Sequence, residues 1–333
     1  MIAVALSGGL DSAAAAVLLH EQGLRIAGVT MRLGPNNPDD AHLERARSIC
    51  RRLNCEHIVL DLADEFTAIQ QYFCDEYLKG RTPNPCAICN RDFKSGLLFE
   101  RLKTLGFEGL ATGHYVRKGW AAGRHYLKSG VWRQSQEYFM GLISQEAIAF
   151  SSRPEVERLV QRSGIEIPTG QSSQDVCFIK GTDYLDFIQN FNGHQPQPGP
   201  IKDVSGRTVG THRGALHYTV GQRKGLGMGF GERVYVLKVE PASNTVTIGS
   251  LKDWDSQGFY LHQPNFMKLA ELAAPITAQV KTRYGQHPIA ATIEPLPDGR
   301  LFVHYSEPYA CGQLAAIYDQ DDAILLAGII EAE

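Results

Sequence analysis

The segment from Ser7 to Ser12 (SGGLDS) has the residue types of a phosphate-binding turn. It lies between a short apolar run at residues 2–6 and an Ala- and Leu-rich helical stretch at 12–22. Glycine lets backbone amides approach phosphate oxygens, and a helix N-terminus favours anions. Asp11 would repel phosphate unless a cation bridges them, which indicates Mg²⁺. The turn lacks the lysine of a Walker-type loop, and an ordinary glycine turn with a serine N-cap is the alternative interpretation.

Three of the seven cysteines lie in surroundings that suit thiol chemistry. Cys86 and Cys89 form a C-x-x-C pair in the Pro- and Gly-rich stretch 80–90, which we expect to be an exposed, irregular loop ahead of a helix. That helix is predicted to start near Arg91, and its N-terminus with the nearby basic residues should stabilise a thiolate. The basic residues are Arg81, Arg91 and Lys94. Cys177 lies between turn and apolar signals in the string SSQDVCFI.

The remaining cysteines are predicted to be structural. Cys50 and Cys74 fall inside amphipathic helical patterns, where a small buried apolar residue is the usual role. Cys55 and Cys311 have no motif around them. An odd number of cysteines argues against a disulfide framework. The N-terminal apolar run stops at Ser7 and lacks a basic region before it, so we expect no export signal and a cytoplasmic protein.

Composition sets the broad class. The 333 residues favour two or three domains, and 43% hydrophobic with 21% charged residues predicts a folded chain. No apolar run approaches the length of a membrane span, so no membrane partner is expected. The net charge of −3 excludes a globally basic nucleic-acid binder. Residues 202–238 nevertheless hold seven Lys/Arg against two acids, which suits a polyanion or, alternatively, a solvated loop surface.

Strand and helix patterns alternate in the first half of the chain, which predicts a parallel sheet with right-handed crossovers. The strands are expected at 2–6, 24–31 and 57–60, and the helices at 12–22, 40–54 and 64–78. The Pro- and Gly-rich stretch 193–200 is typical of a domain linker. After it, β-type runs replace helical patterns and predict a mostly β C-terminal part. These runs are 233–250, 276–284, 289–294 and 301–305.

The strings along the chain resemble a known family. The SGGLDS loop after a first strand resembles the pyrophosphate loop of the ATP pyrophosphatases, which adenylate an oxygen. Nearly the whole chain is similar to the tRNA-specific 2-thiouridylases. The matching strings, in the order of that family, are ALSGGLDS, GVTM, GRTPNPCAICN, ATGHY, SSQDVCFI, HYTVGQRKGLG, VKTRYGQ and GQLAAIY.

The resemblance implies an α/β fold in three parts. These are a parallel-sheet ATP pyrophosphatase domain at 1–192, a small central domain at 193–252 and a barrel-like, mostly β, tRNA-contacting domain at 253–333. It also implies a tRNA-uridine 2-sulfurtransferase that adenylates the C2 oxygen of the wobble uridine with ATP and Mg²⁺. A sulfur-donor protein or hydrosulfide would be the further partner.

Site residues carried over by resemblance form three groups. The ATP-binding residues are Ala5, Leu6, Ser7, Gly8, Gly9, Leu10, Asp11, Ser12, Met31 and Gly113. The residues expected to contact tRNA are Asn84, Pro85 and Cys86 at the target base, and His114, Gln134, Ser135, Gln136, Arg283, Tyr284 and Gln313 elsewhere. Cys177 is implied as the persulfide carrier, and Cys89 as the nucleophilic partner cysteine.

Two positions depart from the common pattern of the family. The family usually has Asp at the position of Cys86, and Lys-Asp-Gln at the position of Gln134, Ser135 and Gln136. Three thiolates at one site suit a [4Fe-4S] cluster with an open iron that binds hydrosulfide. The sequence therefore leaves two sulfur routes open, a Cys177 persulfide or a cluster on Cys86, Cys89 and Cys177.

Two other functions compete with tRNA thiolation. An ATP pyrophosphatase-type ligase that adenylates a small metabolite would use the same loop and leave the cysteines structural. A non-catalytic tRNA-binding protein with a relic nucleotide loop would bind tRNA without ATP turnover. The intact loop and the two placed cysteines argue against the last alternative.

Overall fold

The fold described here is a computed structural model. It describes residues 1–34, 39–130, 135–149, 176–179, 183–226 and 233–332. The N-terminal part contains a four-stranded parallel sheet. Its strands are β1 (Ile2–Ala5), β2 (Ile26–Arg32), β3 (Glu56–Asp61) and β4 (Gly109–Ala111). They lie in the order β3-β2-β1-β4, so β1 is a central strand.

A helix follows each of the first three strands, and the predicted order of these strands and helices is confirmed. The helices are α1 (Leu10–Glu21), α2 (Asp40–Arg52) and α3 (Ala63–Leu78). On α2, Leu43, Ala46 and Ile49 are buried, as their helical spacing predicts, and the arginines lie on the other face. The short strand β4 was not predicted from the sequence.

The strand order creates a switch point beside β1. The chain runs from β1 to β2 and β3 on one side and then returns to place β4 on the other side. In open α/β sheets, ligands bind outside the carboxyl ends of the strands at such a point. The two segments that leave the sheet there are residues 6–9 after β1 and residues 112–116 after β4.

The C-x-x-C segment is helical, so the predicted exposed loop at 80–90 is wrong for its second half. It comprises α4 (Pro85–Ile88), a π-helix (Cys89–Leu98) and α5 (Phe99–Thr104). The helix starts at Pro85 instead of near Arg91, because the Asn84 side chain caps it and proline suits the first helical position.

A hairpin and several short helices complete the N-terminal part. The hairpin strands are β5 (Arg117–Ala121) and β6 (Arg124–Lys128). The helices are a 3₁₀ turn (Glu137–Met140), α6 (Gln145–Ala149) and α7 (Tyr184–Asn192). Among the described residues, no helix combines the length and apolar character needed to cross a membrane.

A small four-stranded sheet follows the Pro-rich stretch. Its strands are β7 (Gly199–Lys202), β8 (Thr208–His212), β9 (Tyr235–Glu240) and β10 (Thr245–Gly249). Their order is β8-β7-β10-β9, and only β7 and β10 run parallel. The sheet has its own apolar core. Three 3₁₀ turns flank these strands, at Ala215–His217, Pro241–Ser243 and Leu251–Asp253.

The C-terminal part is a closed six-stranded antiparallel barrel, which confirms the predicted barrel-like β domain. Its strands are β11 (Gly258–Phe266), β12 (Ile276–Lys281), β13 (Ile289–Pro295), β14 (Leu301–His304), β15 (Leu314–Tyr318) and β16 (Ile324–Ala332). On β15, Ala315 and Ile317 lie in the barrel core, whereas Leu314, Ala316 and Tyr318 pack into the core of the N-terminal part. Because successive side chains of a strand point to opposite faces, β15 buries one face in the barrel core and the other in the core of the N-terminal part. This strand therefore docks the barrel on the sheet domain.

Candidate active site

The SGGLDS loop adopts the conformation that a phosphate-binding turn needs. Gly8 has a φ of 75°, and a Cβ at this position would overlap the carbonyl oxygen of His42, so only glycine fits. The Ser12 hydroxyl donates to the Gly9 carbonyl at 2.9 Å and accepts from the Ser7 amide at 3.2 Å. These bonds fix the turn at the N-terminus of α1, where backbone amides can face an anion.

The other predicted ATP residues lie around this loop with different exposures. Ala5 ends β1 and Leu10 begins α1, whereas the Leu6 side chain is only 2% exposed. The Leu6 amide donates to Val29 at 2.8 Å and its carbonyl accepts from the Thr30 hydroxyl at 2.9 Å, so Leu6 supports the loop from the sheet. Met31 lies near the carboxyl end of β2 and is half-buried. Asp11 is exposed in the first turn of α1, as a cation-binding carboxylate beside phosphates requires.

Gly113, in the segment after β4, packs against the nucleotide loop from the other side of the switch point. A Cβ at Gly113 would lie 2.6 Å from the carbonyl carbon of Asp11 and 2.6 Å from the amide nitrogen of Ser12. The segment after β4 therefore packs directly on the start of α1. Any larger residue at 113 would push the two segments apart and change the space between them.

Arg45 is a basic residue at the loop that the sequence analysis missed. It lies on α2 and donates from Nε to the carbonyl oxygen of Gly8 at 3.1 Å. The first turns of α2 thus pack against the nucleotide loop. The sequence offered no signal for this contact, because 37 residues separate the two positions.

Cys86 and Cys89 lie one helical turn apart and are both withdrawn from solvent. Cys89 is 9% exposed in the core of the N-terminal part, and Cys86 is half-buried. Asn84 accepts from the amide of Ala87 at 3.1 Å and so fixes the start of this helix. The pair is therefore held rigidly on a helix, where a flexible loop was predicted.

The prediction of a stabilised thiolate on this pair is wrong. Burial raises the pKa of Cys89 to about 11 and also raises the pKa of Cys86, while the Lys94 ammonium opposes both shifts. Two of the expected basic side chains are engaged elsewhere. Arg81 pairs with Glu76 at 2.7 Å, and Arg91 pairs with Asp92 at 2.6 Å.

Cys177 belongs to the same site and is the exposed member of the three thiols. Phe178, next to Cys177, contacts Phe66 with ring centroids 5.9 Å apart, and Phe66 contacts Phe93 of the thiol helix at 5.3 Å, which places Cys177 near the pair. The neighbouring Phe178 anchors the turn 176–179 with an edge contact to Phe73 at 5.4 Å. The rest of the motif, Ser173 to Asp175, lies outside the described residues.

The three thiols are not arranged as a cluster site. Within the part of the chain that the structure describes, no group of three or more His, Cys, Asp or Glu side chains converges as metal ligands would. The residues as placed do not fit a [4Fe-4S] cluster, and we derive no step through one.

His114 connects the nucleotide loop to the thiol helix. Its Nε2 lies 3.2 Å from Lys94 Nζ, and its Nδ1 lies 2.7 Å from the Thr112 hydroxyl. A lysine ammonium can only donate, so Nε2 accepts and Nδ1 carries the proton of a neutral ring.

The residues predicted to contact the target base lie against Gln313 of the C-terminal barrel domain. Asn84 is 5% exposed, and its amide donates to the Gln313 side chain at 3.5 Å. Gln313 in turn donates to the carbonyl of Pro83 at 3.0 Å, and Pro85 is buried beside them. The barrel therefore supports the thiol helix directly.

Ser135 and Gln136 are placed at the base of the hairpin. The Ser135 hydroxyl accepts from the amide of Gly130 at 2.6 Å, and Gln136 accepts from the amide of Tyr115 at 2.7 Å. The Ser135 hydroxyl also donates to the Tyr115 carbonyl at 3.4 Å, so both side chains hold the segment after β4 in place. Gln134 lies outside the described residues.

Arg283 and Tyr284 present an exposed ring and charge near the thiol helix. Tyr284 is 39% exposed and packs over Phe139 with ring centroids 4.7 Å apart. The Asn90 side chain, next to Cys89, donates to the carbonyl of Phe139 at 2.9 Å. Phe139 is a second ring at the site that the sequence analysis missed.

The basic stretch of the central sheet contains both paired and unpaired cations. Arg207 pairs with Asp203 at 3.1 Å, and Lys238 pairs with Glu240 at 2.7 Å. Arg223 and Lys224 are exposed, and no ion pair joins either of them to another described residue. These two cations are therefore available to a polyanion.

The parallel sheet with a glycine loop at its switch point, followed by a small β domain and a closed barrel, defines a three-part protein of the HUP class. Family models match in this order: "tRNA methyl transferase HUP domain" at residues 1–181, "tRNA methyl transferase PRC-barrel domain" at 185–250 and "Aminomethyltransferase beta-barrel domain" at 256–330. The chain belongs to the tRNA-specific 2-thiouridylase (MnmA) family, as its relatives show.

Two relatives illustrate the match. The tRNA-specific 2-thiouridylase MnmA 1 of Caldanaerobacter subterraneus subsp. tengcongensis is 35% identical over 99% of this chain and 97% of its own. The tRNA-specific 2-thiouridylase MnmA of Syntrophotalea carbinolica is 37% identical over 96% of each chain. Among solved structures, the U34-tRNA thiolase NcsA from Methanococcus maripaludis with its [4Fe-4S] cluster matches 34% of this chain and 37% of that chain, with 21% identity and a TM-score of 0.25.

Proposed function

We propose that this chain is an ATP-dependent tRNA-uridine 2-sulfurtransferase that converts wobble uridine to 2-thiouridine. One observation carries the proposal. The segment after β4 touches the nucleotide loop through Gly113 and the thiol helix through His114 and Lys94. An adenylated base at this junction would lie within reach of both the phosphate site and the cysteines.

The first step activates the base. The C2 oxygen of uridine attacks the α-phosphorus of ATP, pyrophosphate leaves, and the N3 proton is released. The amides at the N-terminus of α1 would hold the phosphates, with Asp11 holding Mg²⁺ beside them. The C2 oxygen is then part of AMP, which is a good leaving group. The base must leave its stack to reach this site.

The second step transfers sulfur. A donor protein places a sulfane sulfur on the exposed Cys177, and the terminal sulfur of this persulfide attacks C2 while AMP leaves. The Cys89 sulfur then attacks Cys177 Sγ, which forms a Cys89–Cys177 disulfide, and the thiol proton of Cys89 ends on N3. A thiol reductant restores both cysteines. The raised pKa of Cys89 supports this order, because a protonated thiol does not discharge the persulfide before the base arrives.

The test of this function measures AMP and 2-thiouridine together. The chain is incubated with ATP, Mg²⁺ and a persulfide-loaded cysteine desulfurase, with or without uridine-34 tRNA. We expect AMP release to require tRNA and to match 2-thiouridine formed mole for mole. AMP release that ignores tRNA and responds to a small metabolite would identify a metabolite ligase. Binding of tRNA without any AMP would identify a binding protein.

The affinity for tRNA is expected to fall steeply with salt, because phosphate contacts release counterions. Arg223→Ala or Lys224→Ala should weaken binding and lower the slope of log K against log salt by about one unit per lost contact. Lys238→Ala is the matched control, since Glu240 already pairs with this lysine. Fluorescence anisotropy with labelled tRNA from 50 to 400 mM salt, a range of about one decade, measures the slope. An affinity independent of salt would remove the basic stretch from the proposed interface.

A further inference from the structure

Helix α2 ends in a turn that brings two cysteines together, far in sequence from the thiol helix. The amide of Cys55 donates to the carbonyl of Cys50 at 3.0 Å, and the amide of Asn54 donates to the carbonyl of Arg51 at 3.2 Å. Asn54 has a φ of 49°. This is the Schellman motif, in which the side chains at the two ends of the six-residue turn contact each other.

The backbone geometry allows a disulfide between the two ends. The Cα of Cys50 lies about 2.4 Å from its own carbonyl oxygen, and the Cα of Cys55 lies about 1.5 Å from its own nitrogen. With the 3.0 Å hydrogen bond between them, the two Cα atoms are separated by at most about 6.9 Å. Disulfides usually span about 4.4–6.8 Å between Cα atoms.

The two thiols differ in burial and in acidity. Cys50 is 1% exposed and fills the space above Gly28, where a Cβ would overlap its sulfur. Cys55 is half-buried and packs against the same core. The hydrogen bond from the Cys50 thiol lowers the pKa of Cys55 to about 7, and the same pair interaction raises the pKa of Cys50. Cys55 is the more accessible of the two thiols, so a small oxidant reaches it first, and Cys50 is the buried partner.

We propose that Cys50 and Cys55 are a redox-active pair that forms a reversible disulfide when hydrogen peroxide is present. The Cys55 thiolate attacks the peroxide oxygen, the O–O bond breaks, and hydroxide leaves to give a sulfenic acid. The Cys50 sulfur then attacks Cys55 Sγ, and the S–OH bond breaks with loss of water. The two thiols are oxidised by two electrons, and the peroxide is reduced to two waters. A thiol reductant reverses the bond.

The site is separate from the proposed sulfur-transfer cysteines but connected to the nucleotide loop. Cys50 and Cys55 close the C-terminal end of α2, and Arg45 on the same helix holds the Gly8 carbonyl. Oxidation of the pair would therefore form a disulfide at the end of the helix that supports the nucleotide loop. It does not depend on the reaction proposed above, since neither ATP nor tRNA takes part.

Peptide mapping tests the proposal on the full chain. Trypsin cuts after Arg51 and Arg52, so Cys50 and Cys55 fall on different peptides that only a disulfide joins. After treatment with hydrogen peroxide and blocking with iodoacetamide, we expect the joined peptides in the unreduced digest and their loss after dithiothreitol. Fragment ions distinguish Cys55 from Cys74 on the same peptide. Recovery of Cys50 and Cys55 as separate alkylated peptides would overturn the proposal.

Variants separate the two roles. Cys50→Ser should leave Cys55 as a sulfenic acid that dimedone traps, whereas Cys55→Ser should leave Cys50 unoxidised. At pH 7, Cys55 should be alkylated faster than Cys74, because Cys55 is half-buried whereas Cys74 is fully buried and burial raises the pKa of its thiol. Cys89→Ser with Cys177→Ser should still form the Cys50–Cys55 bond. Peroxide reactivity of Cys50 in Cys55→Ser at the wild-type rate would contradict the assignment of the nucleophile.

Discussion

Replacing Cys177 by serine is expected to reduce 2-thiouridine formation by about 10³-fold or more, while tRNA-dependent pyrophosphate release continues. Cys89→Ser should cause the same loss, because one sulfur carries the persulfide and the other releases the product. Serine cannot carry a sulfane sulfur and cannot close a disulfide. Mass spectrometry of the digested tRNA measures 2-thiouridine, and a coupled assay measures pyrophosphate.

The two variants should stop the reaction at different stages. After loading by the sulfur donor, Cys89→Ser should retain a persulfide on Cys177, and its tRNA should accumulate as a mixed disulfide with the protein. Cys177→Ser should accept no persulfide at all. Thiouridine formed by Cys177→Ser at the wild-type rate would remove this residue as the carrier.

Two further thiols serve as controls for this experiment. Cys74 is fully buried in α3, so Cys74→Ala should cost stability of about 1 kcal/mol or less and leave sulfur transfer intact. Cys86→Ala should retain sulfur transfer in an aerobic, iron-free preparation, because the persulfide route uses only Cys89 and Cys177. Loss of both iron and activity in Cys86→Ala would instead favour a cluster on the three cysteines.

Local patterns were sufficient to predict the sheet and its loop. The apolar run before Ser7 and the alanine-rich run after Asp11 predict the strand, turn and helix, because both are continuous apolar runs of buried elements and turn residues separate them. The spacing of apolar residues on α2 predicted its buried face for the same reason. The three-residue strand β4 is too short for any period to register.

The thiol helix shows where sequence reasoning failed. Asn84 and Pro85 were interpreted as loop formers, although Asn before Pro is also the signature of an N-cap and first helical turn. Once helical, Cys89 packs into a core that the barrel helps to build, and burial outweighs the charge of Lys94. The direction in which the pKa of a thiol shifts depends on this tertiary burial, which the local sequence does not encode.

Contacts between distant segments were also beyond prediction from the residues alone. Gln313 meets Asn84 across 229 positions, and Tyr284 covers Phe139 from a different domain. The barrel docks on the sheet through the second apolar face of β15. The continuous LAAIY run of this strand was noted in the sequence only as a string shared with the family, and its burial on both faces was not predicted. Spatial convergence of this kind follows from packing of whole domains and not from any local pattern.

Asp11→Asn is expected to abolish both AMP formation and 2-thiouridine formation while the protein remains folded and binds tRNA. Asp11 is exposed in the first turn of α1, so the change removes no core packing. The lost helix-dipole interaction is worth only about 0.3–1 kcal/mol. The neutral amide cannot hold Mg²⁺ against the phosphates, so their charge is no longer offset during attack on the α-phosphorus.

Asp64→Asn is the matched control, because Asp64 is likewise an exposed carboxylate in the first turn of a helix, α3, that does not carry the glycine loop. Thermal unfolding should show similar small shifts for both variants, and anisotropy should show unchanged tRNA affinity. Only Asp11→Asn should lose AMP release, and the loss should lessen as Mg²⁺ is raised if residual binding remains at the loop amides. AMP release by Asp11→Asn at the wild-type rate and at ordinary Mg²⁺ would show that the SGGLDS loop does not hold the metal–nucleotide complex, and the adenylation step would have to be placed elsewhere.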